Sequence, residues 1–291
     1  MNCATPPAAD ASDARAALAR LDALCSHHDA VHDGVRVRWR RFGRDDTHPP
    51  IVLLHGGHGS WMHWVRNIEA LAARHTLWLP DLPGYHDSDT PSRTAPGQEP
   101  IDPLLDALIG TLDTLVGATT PIGLGGFSFG GLVAAKLMAR RGHVNRLALL
   151  GSGGHGTVRR LSVEMINWRA AKDRDEERAA LIHNLGALML HDPKAIDALA
   201  FEIHDISCHG TRFRSKDVSL SGGLQAAIDT FVRPLLLVWG EHDVTADARP
   251  LVAQLVAGHP NRQGMVVDAA GHWVQYERAD AVNARLLQFF A

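Results

Sequence analysis

The strongest signal along the chain is a series of short, wholly apolar runs separated by stretches whose apolar residues recur at helical spacing. Ile51-Val52-Leu53-Leu54 stops at a glycine-rich turn, the pattern of a parallel strand buried on both faces. A helix is predicted near Trp64 to Arg74, a strand over Thr76 to Leu79, a proline-opened helix over Pro103 to Val116 and a strand ending near Phe127. Phe129 to Arg141 reads as a helix and Arg146 to Leu150 as another buried strand. After a long interruption come a strand over Pro234 to Trp239, a helix over Ala248 to Val256, a strand over Met265 to Val267 and a closing helix over Ala279 to Phe290. Such alternation predicts a doubly wound, mostly parallel α/β sheet.

Two stretches depart from that rhythm. Ala14 to Leu24 has helical apolar spacing, and Val35 to Phe42 alternates Val and Trp with Arg, as a half-exposed antiparallel edge strand does. From His155 to Phe231 the patches are helical and charged, without buried strands and without the Gly, Ser or Pro tract of a linker. The expected organisation is an N-terminal extension (1–30), a core formed by 31–154 and 232–291, and a helical cap inserted at 155–231. A chain of 291 residues suits one large domain with an insertion better than two independent ones.

Composition narrows the partners. With 45% hydrophobic and 21% charged residues and a net charge of -3, nothing recruits nucleic acid or an anionic membrane, so a small molecule is expected. Homo-oligomerisation stays open. Cys3, Cys25 and Cys208 are too few and too scattered for a disulfide framework or a metal knuckle, and Met1 to Asp13 lacks the pattern of a signal peptide. A cytoplasmic location is expected. His27, His28 and His32 lie close together, but no HExxH pair supports a catalytic metal.

Gly126-Phe127-Ser128-Phe129-Gly130 sits between a buried strand and a helix. A sharp turn there exposes the Ser128 hydroxyl above the sheet, and small flanking residues avoid collisions with neighbouring backbone, so Ser128 is the candidate nucleophile. A serine needs a base oriented by a carboxylate. Asp243, just past a strand, is the candidate acid, with Glu241 and Asp247 as fallbacks, and His272 in Ala269-Ala270-Gly271-His272-Trp273 is the candidate base. The developing oxyanion needs donors, for which the backbone N–H groups of Phe129 and Gly57 are the candidates. The glycines of His55-Gly56-Gly57-His58-Gly59 fit neither nucleotide fingerprint. Asp81 to Ser88 is expected to shape the rim of the site.

Together these landmarks resemble the α/β-hydrolase superfamily with its inserted cap. His55-Gly56-Gly57, Arg66-Asn67, Gly151-Ser152-Gly153-Gly154 and Gly271-His272-Trp273-Val274-Gln275-Tyr276-Glu277 look like the meta-cleavage-product hydrolases. That family cuts a carbon–carbon bond in vinylogous diketones with the same triad and no cofactor. The resemblance implies a substrate-facing role for His63, Phe127 and Trp273. It also exposes departures: Phe127 and His63 stand where family members carry Asn, and Phe201-Glu202 where they carry a substrate-gripping Arg, with Arg212 and Arg214 nearby. Ester hydrolysis fits a cap equally, with Met165, Trp168, Met189 and Phe213 available to line a pocket or to form the cap's own core. A ligand receptor or an acyltransferase on the same fold is the alternative.

Overall fold

The computed structural model describes residues 8–43 and 47–291; Cys3 lies outside them. The chain opens with helix α1 (Ala8–Asp22), then strands β1 (Ser26–His32), β2 (Val35–Phe42) and β3 (Ile51–Leu54). A 3-10 turn (Trp61–Trp64) and α2 (Ile68–Ala72) lead to β4 (Leu77–Pro80), α3 (Asp102–Val116), β5 (Ile122–Phe127), α4 (Phe129–Arg141) and β6 (Val144–Leu150). No strand occurs between β6 and the next one; that stretch forms α5 (Arg174–Asn184), α6 (Ala198–His209), α7 (Ser215–Leu220) and α8 (Leu224–Asp229). The chain ends with β7 (Leu235–Gly240), α9 (Ala248–Val256), β8 (Arg262–Val267), α10 (Val274–Glu277) and α11 (Ala279–Phe290).

The strands form one sheet in the order β1-β2-β4-β3-β5-β6-β7-β8. The β1–β2 and β2–β4 pairs are antiparallel and all the others parallel. Strand order reverses between β3 and β5, so the chain leaves their adjacent ends in opposite directions and opens a crevice there.

Period-two alternation explains why whole strands are apolar. Val52 and Leu54 of β3, and Leu235, Leu237 and Trp239 of β7, feed the core on one face; Ile51, Leu53, Leu236 and Val238 feed the core on the other. Helices α3, α4 and α9 cover the first face, α11 the second. Glycines in β5 admit that cover: a Cβ on Gly123 would lie 2.9 Å from the Phe290 ring of α11.

Helices α5 and α6 join the second core through Leu181, Ile182, Phe201 and Ile203. They are also fastened by polar contacts. Glu277 accepts the backbone N–H groups of Asp192 (2.5 Å), Gly271 (2.6 Å) and His191 (3.2 Å). Arg66 pairs with Asp197 at 2.6 Å and stacks 3.8 Å over the Tyr276 ring, while the Tyr276 hydroxyl donates to Asp197 at 2.6 Å.

Boundaries differ from the sequence expectation in several places; α1 begins at Ala8, six residues before the expected Ala14. β1 extends the sheet by pairing along β2 from Ser26 to His32, although only Ala30 of it is buried. The helix expected near Trp64 to Arg74 is instead the 3-10 turn and the short α2. β8 starts at Arg262, earlier than its apolar part.

Candidate active site

Strand β5 delivers Ser128 to the crevice between β3 and β5. Its backbone sits at φ 55, ψ -120, a region side-chain-bearing residues avoid at a cost of about 1–3 kcal/mol. Local hydrogen bonds impose it: Ser128 N–H donates to Leu150 O (2.9 Å), and Ser128 O accepts from Gly131 (2.9 Å) and Gly153 (2.8 Å). The turn closes only around glycine. A Cβ on Gly126 would lie 2.2 Å from Gly130 O, and one on Gly130 2.2 Å from His55 O.

Ser128 Oγ lies 2.9 Å from His272 Nε2, and His272 Nδ1 lies 2.8 Å from Asp243 Oδ2. An ionised carboxylate only accepts, so Nδ1 carries the proton and Nε2 is left to accept from the serine hydroxyl. Burial pushes the Asp243 carboxyl up, yet the charge of His272 and hydrogen bonds from His272 and Thr245 outweigh it, leaving Asp243 below the usual carboxylate range. Thr245 supplies two of those bonds, from its N–H (2.8 Å) and its hydroxyl (2.7 Å) to Asp243 Oδ1. The fallback acids are engaged elsewhere: Glu241 with Arg249 at 2.8 Å and Asp247 with Arg160 at 2.7 Å. Gly151 makes room for the pair, since a Cβ there would lie 3.1 Å from His272 Nδ1 and 3.2 Å from Asp243 Oδ2.

The loop after β3 is pinned by two histidines. Leu82 N–H donates to His55 Nε2 at 2.9 Å, so His55 Nδ1 must donate to Gly56 O, 2.8 Å away. Burial lowers the His55 pKa to about 4 and keeps the ring neutral. Gly56 N–H donates to His63 Nδ1 at 3.2 Å. Gly57 packs tightly, with room for a Cβ denied by Ser215 Oγ at 2.4 Å. Phe129 is the first residue of α4, where N–H groups have no intrahelical acceptor. Behind the loop, Asp81 accepts from Trp61 N–H (3.0 Å) and pairs with Arg40 (2.8 Å), which also meets Asp22 (2.8 Å) and Asp87 (2.7 Å). The Asp81–Ser88 turn thus braces the loop.

A cleft of about 20 Å³ opens on Ser128 and His272, lined also by His155, Thr157, Arg159, Thr245 and neighbours. It holds about one water. His63, Phe127 and Trp273 are not among the lining residues. Each is almost wholly buried behind the triad, with the Phe127 ring centroid 5.0 Å from His272 and 5.3 Å from His63, and Trp273 Nε1 donating to His63 O at 3.0 Å. Met165, Trp168, Met189 and Phe213 also stand off the cleft: Met165 is exposed, Met189 is core, Trp168 packs on His209 and Phe213 on Phe129. At the cap position discussed above, Glu202 pairs with Arg15 (2.6 Å) and Phe201 lies under Arg178. Sequence reasoning missed Thr245 and Arg159. Neither carried a signal in the sequence: Thr245 is marked only by its hydrogen bonds to Asp243, and Arg159 only by its place in the cleft.

Among the described residues no helix is long and apolar enough to cross a membrane. The chain is 27% identical over 270 residues to a 2-hydroxy-6-oxononadienedioate/2-hydroxy-6-oxononatrienedioate hydrolase of Cupriavidus pinatubonensis, covering 82% of this chain and 86% of that one. It is 30% identical over 274 residues to the dihydrolipoyllysine-residue acetyltransferase component of an acetoin cleaving system of Pseudomonas putida, covering 88% of this chain and 67% of the relative. Among solved structures, the esterase RhEst1 from Rhodococcus sp. superposes with a TM-score of 0.73 at 21% identity, over 92% of this chain and 98% of that one. A sequence profile described as the Alpha/beta hydrolase family matches residues 51–285, and with the fold and crevice in place the chain belongs to that family.

Proposed function

We propose that the chain is a serine hydrolase acting on a small carbonyl substrate, a carboxylic ester or a meta-cleavage-type diketone, through an acyl-enzyme. The observation that carries this reading is the unbroken hydrogen-bonded line from Ser128 Oγ through His272 to Asp243. Ser128 Oγ attacks the carbonyl carbon while His272 Nε2 takes its proton, and Asp243 stabilises the imidazolium that forms. The N–H groups of Gly57 and Phe129 receive the oxyanion. His272 returns the proton to the leaving oxygen or carbon as the bond to the carbonyl breaks. Water, deprotonated by His272, then attacks the acyl carbon and releases Ser128. The Cupriavidus relative, named for a dienedioate, supports the carbon–carbon option.

A fluorophosphonate probe is expected to label Ser128, and Ser128→Ala to lose on the order of 10⁶ in turnover. Undiminished turnover in that variant would sink the mechanism. Comparing kcat/KM for short aryl esters with that for 2-hydroxy-6-oxo-dienoates assigns the bond that is cut.

An acyltransferase is the second reading, favoured by the 30% identity to the acetyltransferase component. Only the acceptor differs, so transfer products formed in added alcohols, at the expense of free acid, mark it.

A further inference from the structure

Arg159 is the only guanidinium lining the cleft at Ser128, and no carboxylate lines it. Deeply buried guanidiniums elsewhere are matched: Arg40 by three aspartates, Arg141 by Asp113 at 2.6 Å and Arg262 by Asp229 at 2.6 Å. Arg159, half-buried, has no ion-pair partner among the described residues. Asp243 is near enough to act on it electrostatically but already accepts from His272 and Thr245. Burial holds the Arg159 guanidinium below the ordinary arginine range, the mark of a cation that has lost water without gaining an anion.

Its neighbours reinforce that polarity. Thr157 donates to His155 Nδ1 from both its N–H (3.1 Å) and its hydroxyl (2.8 Å), so His155 carries its proton on Nε2 and remains a donor. The segment is tied to the loop that bears Asp243: Arg160 N–H donates to Val244 O at 2.6 Å, and the Arg160 guanidinium pairs with Asp247. The backbone that carries Arg159 is therefore fixed against the Asp243 loop, and its side chain lines the cleft at Ser128.

We propose that Arg159 forms an anion subsite next to Ser128, and that the preferred substrates are carbonyl compounds bearing a carboxylate close to the reacting carbon. Its catalytic expression rests on the serine-hydrolase reading; its binding side does not. A planar, doubly donating guanidinium suits a carboxylate, and one charge-assisted contact of this kind is worth about 10- to 100-fold.

The test uses two esters of equal chain length, mono-4-nitrophenyl succinate and 4-nitrophenyl butyrate, and reads the ratio of their kcat/KM. The wild-type protein should prefer the succinate, and Arg159→Gln should cut that preference about 10- to 100-fold, with Arg159→Lys in between. Arg233→Gln, which removes an exposed surface charge away from the cleft, should leave the ratio unchanged. A ratio untouched by Arg159→Gln, or rates on both esters falling together, overturns the subsite. Calorimetric titration of succinate into the Ser128→Ala protein, with and without Arg159→Gln, separates this from the hydrolase reading. If neither ester turns over, that reading fails alone; the subsite then stands on at least a tenfold weaker succinate affinity in the double variant and falls without it.

Discussion

At the scale of single residues, the hydrogen-bonded line of the candidate site was legible because its three members announce themselves by context. Ser128 sits in a glycine-flanked strand-to-helix turn, and Asp243 and His272 follow strands in the order this fold uses. The supporting residues were not legible, because their roles depend on distances the sequence does not encode. Thr245 is the example: nothing in its spelling says that both its N–H and its hydroxyl turn back onto Asp243. Removing that hydroxyl in Thr245→Val withdraws one hydrogen bond from a buried charge, worth about 1.5–3 kcal/mol. We expect kcat to fall at least about tenfold with KM little changed, and Thr245→Ser to restore it. Equal kcat for Thr245→Val and the wild-type protein would show that the backbone N–H alone orients the acid. His63, Phe127 and Trp273 teach the opposite lesson. Resemblance gives them a substrate-facing role; in the structure the His63 ring packs on Phe127 and Trp273, and Phe127 packs on His272, arrangements that depend on the fold and not on the motif.

At the scale of elements, strands buried on both faces were read closely, as with β3, β5 and β7, because burial on both sides leaves no polar residue to confuse the signal. β1 escaped because its sequence, Ser-His-His-Asp-Ala-Val-His, pairs along an exposed edge and buries little. The segment from α5 to α8 was legible as helical but not in how it is fastened. Motif residues Arg66, Tyr276 and Glu277 do this: they lie in the core's sequence yet bind the backbone or side chains around His191, Asp192 and Asp197. Glu277 is central, since one carboxylate satisfies the N–H groups of His191, Asp192 and Gly271, the last adjacent to His272. Glu277→Ala strands three donors in a buried site, which should cost about 3–5 kcal/mol of unfolding free energy. Urea titration reads that loss, and a midpoint within error of wild type would mean water replaces the carboxylate. Because the same contacts hold the His272 loop, the folded variant should also show a reduced kcat.

At the scale of the whole molecule, the unusual number of histidines becomes a statement about acid and alkali. His55, His63 and His204 are buried neutral: burial lowers His55 to about 4, His204 to about 3 and His63 well below the ordinary value. His86 is the reverse case. Although burial opposes its charge, Asp81 (3.4 Å) and Asp87 (3.2 Å) raise it to about 9. The signs follow from proton counts, with an unfolded histidine titrating near 6.5. As pH falls from about 6.5 towards 4, the unfolded chain takes up protons at three rings that the folded one keeps neutral, so stability drops on the acid side. Stability contributed by His86 is fully present below about 6.5 and is lost as pH rises through 9. Thermal stability should therefore peak near pH 6.5, with an acid limb steeper than the alkaline one because more rings are held neutral, His58 and His155 among them, than are held charged. Calorimetric melting from pH 4.5 to 9.5 measures this, and His86→Gln should lower Tm most at and below the peak while flattening the alkaline limb. A His204→Leu protein should lose part of the acid slope, since a leucine carries no proton for the unfolded chain to bind. An acid limb of unchanged slope in that variant would show that His204 is not kept neutral in the folded chain.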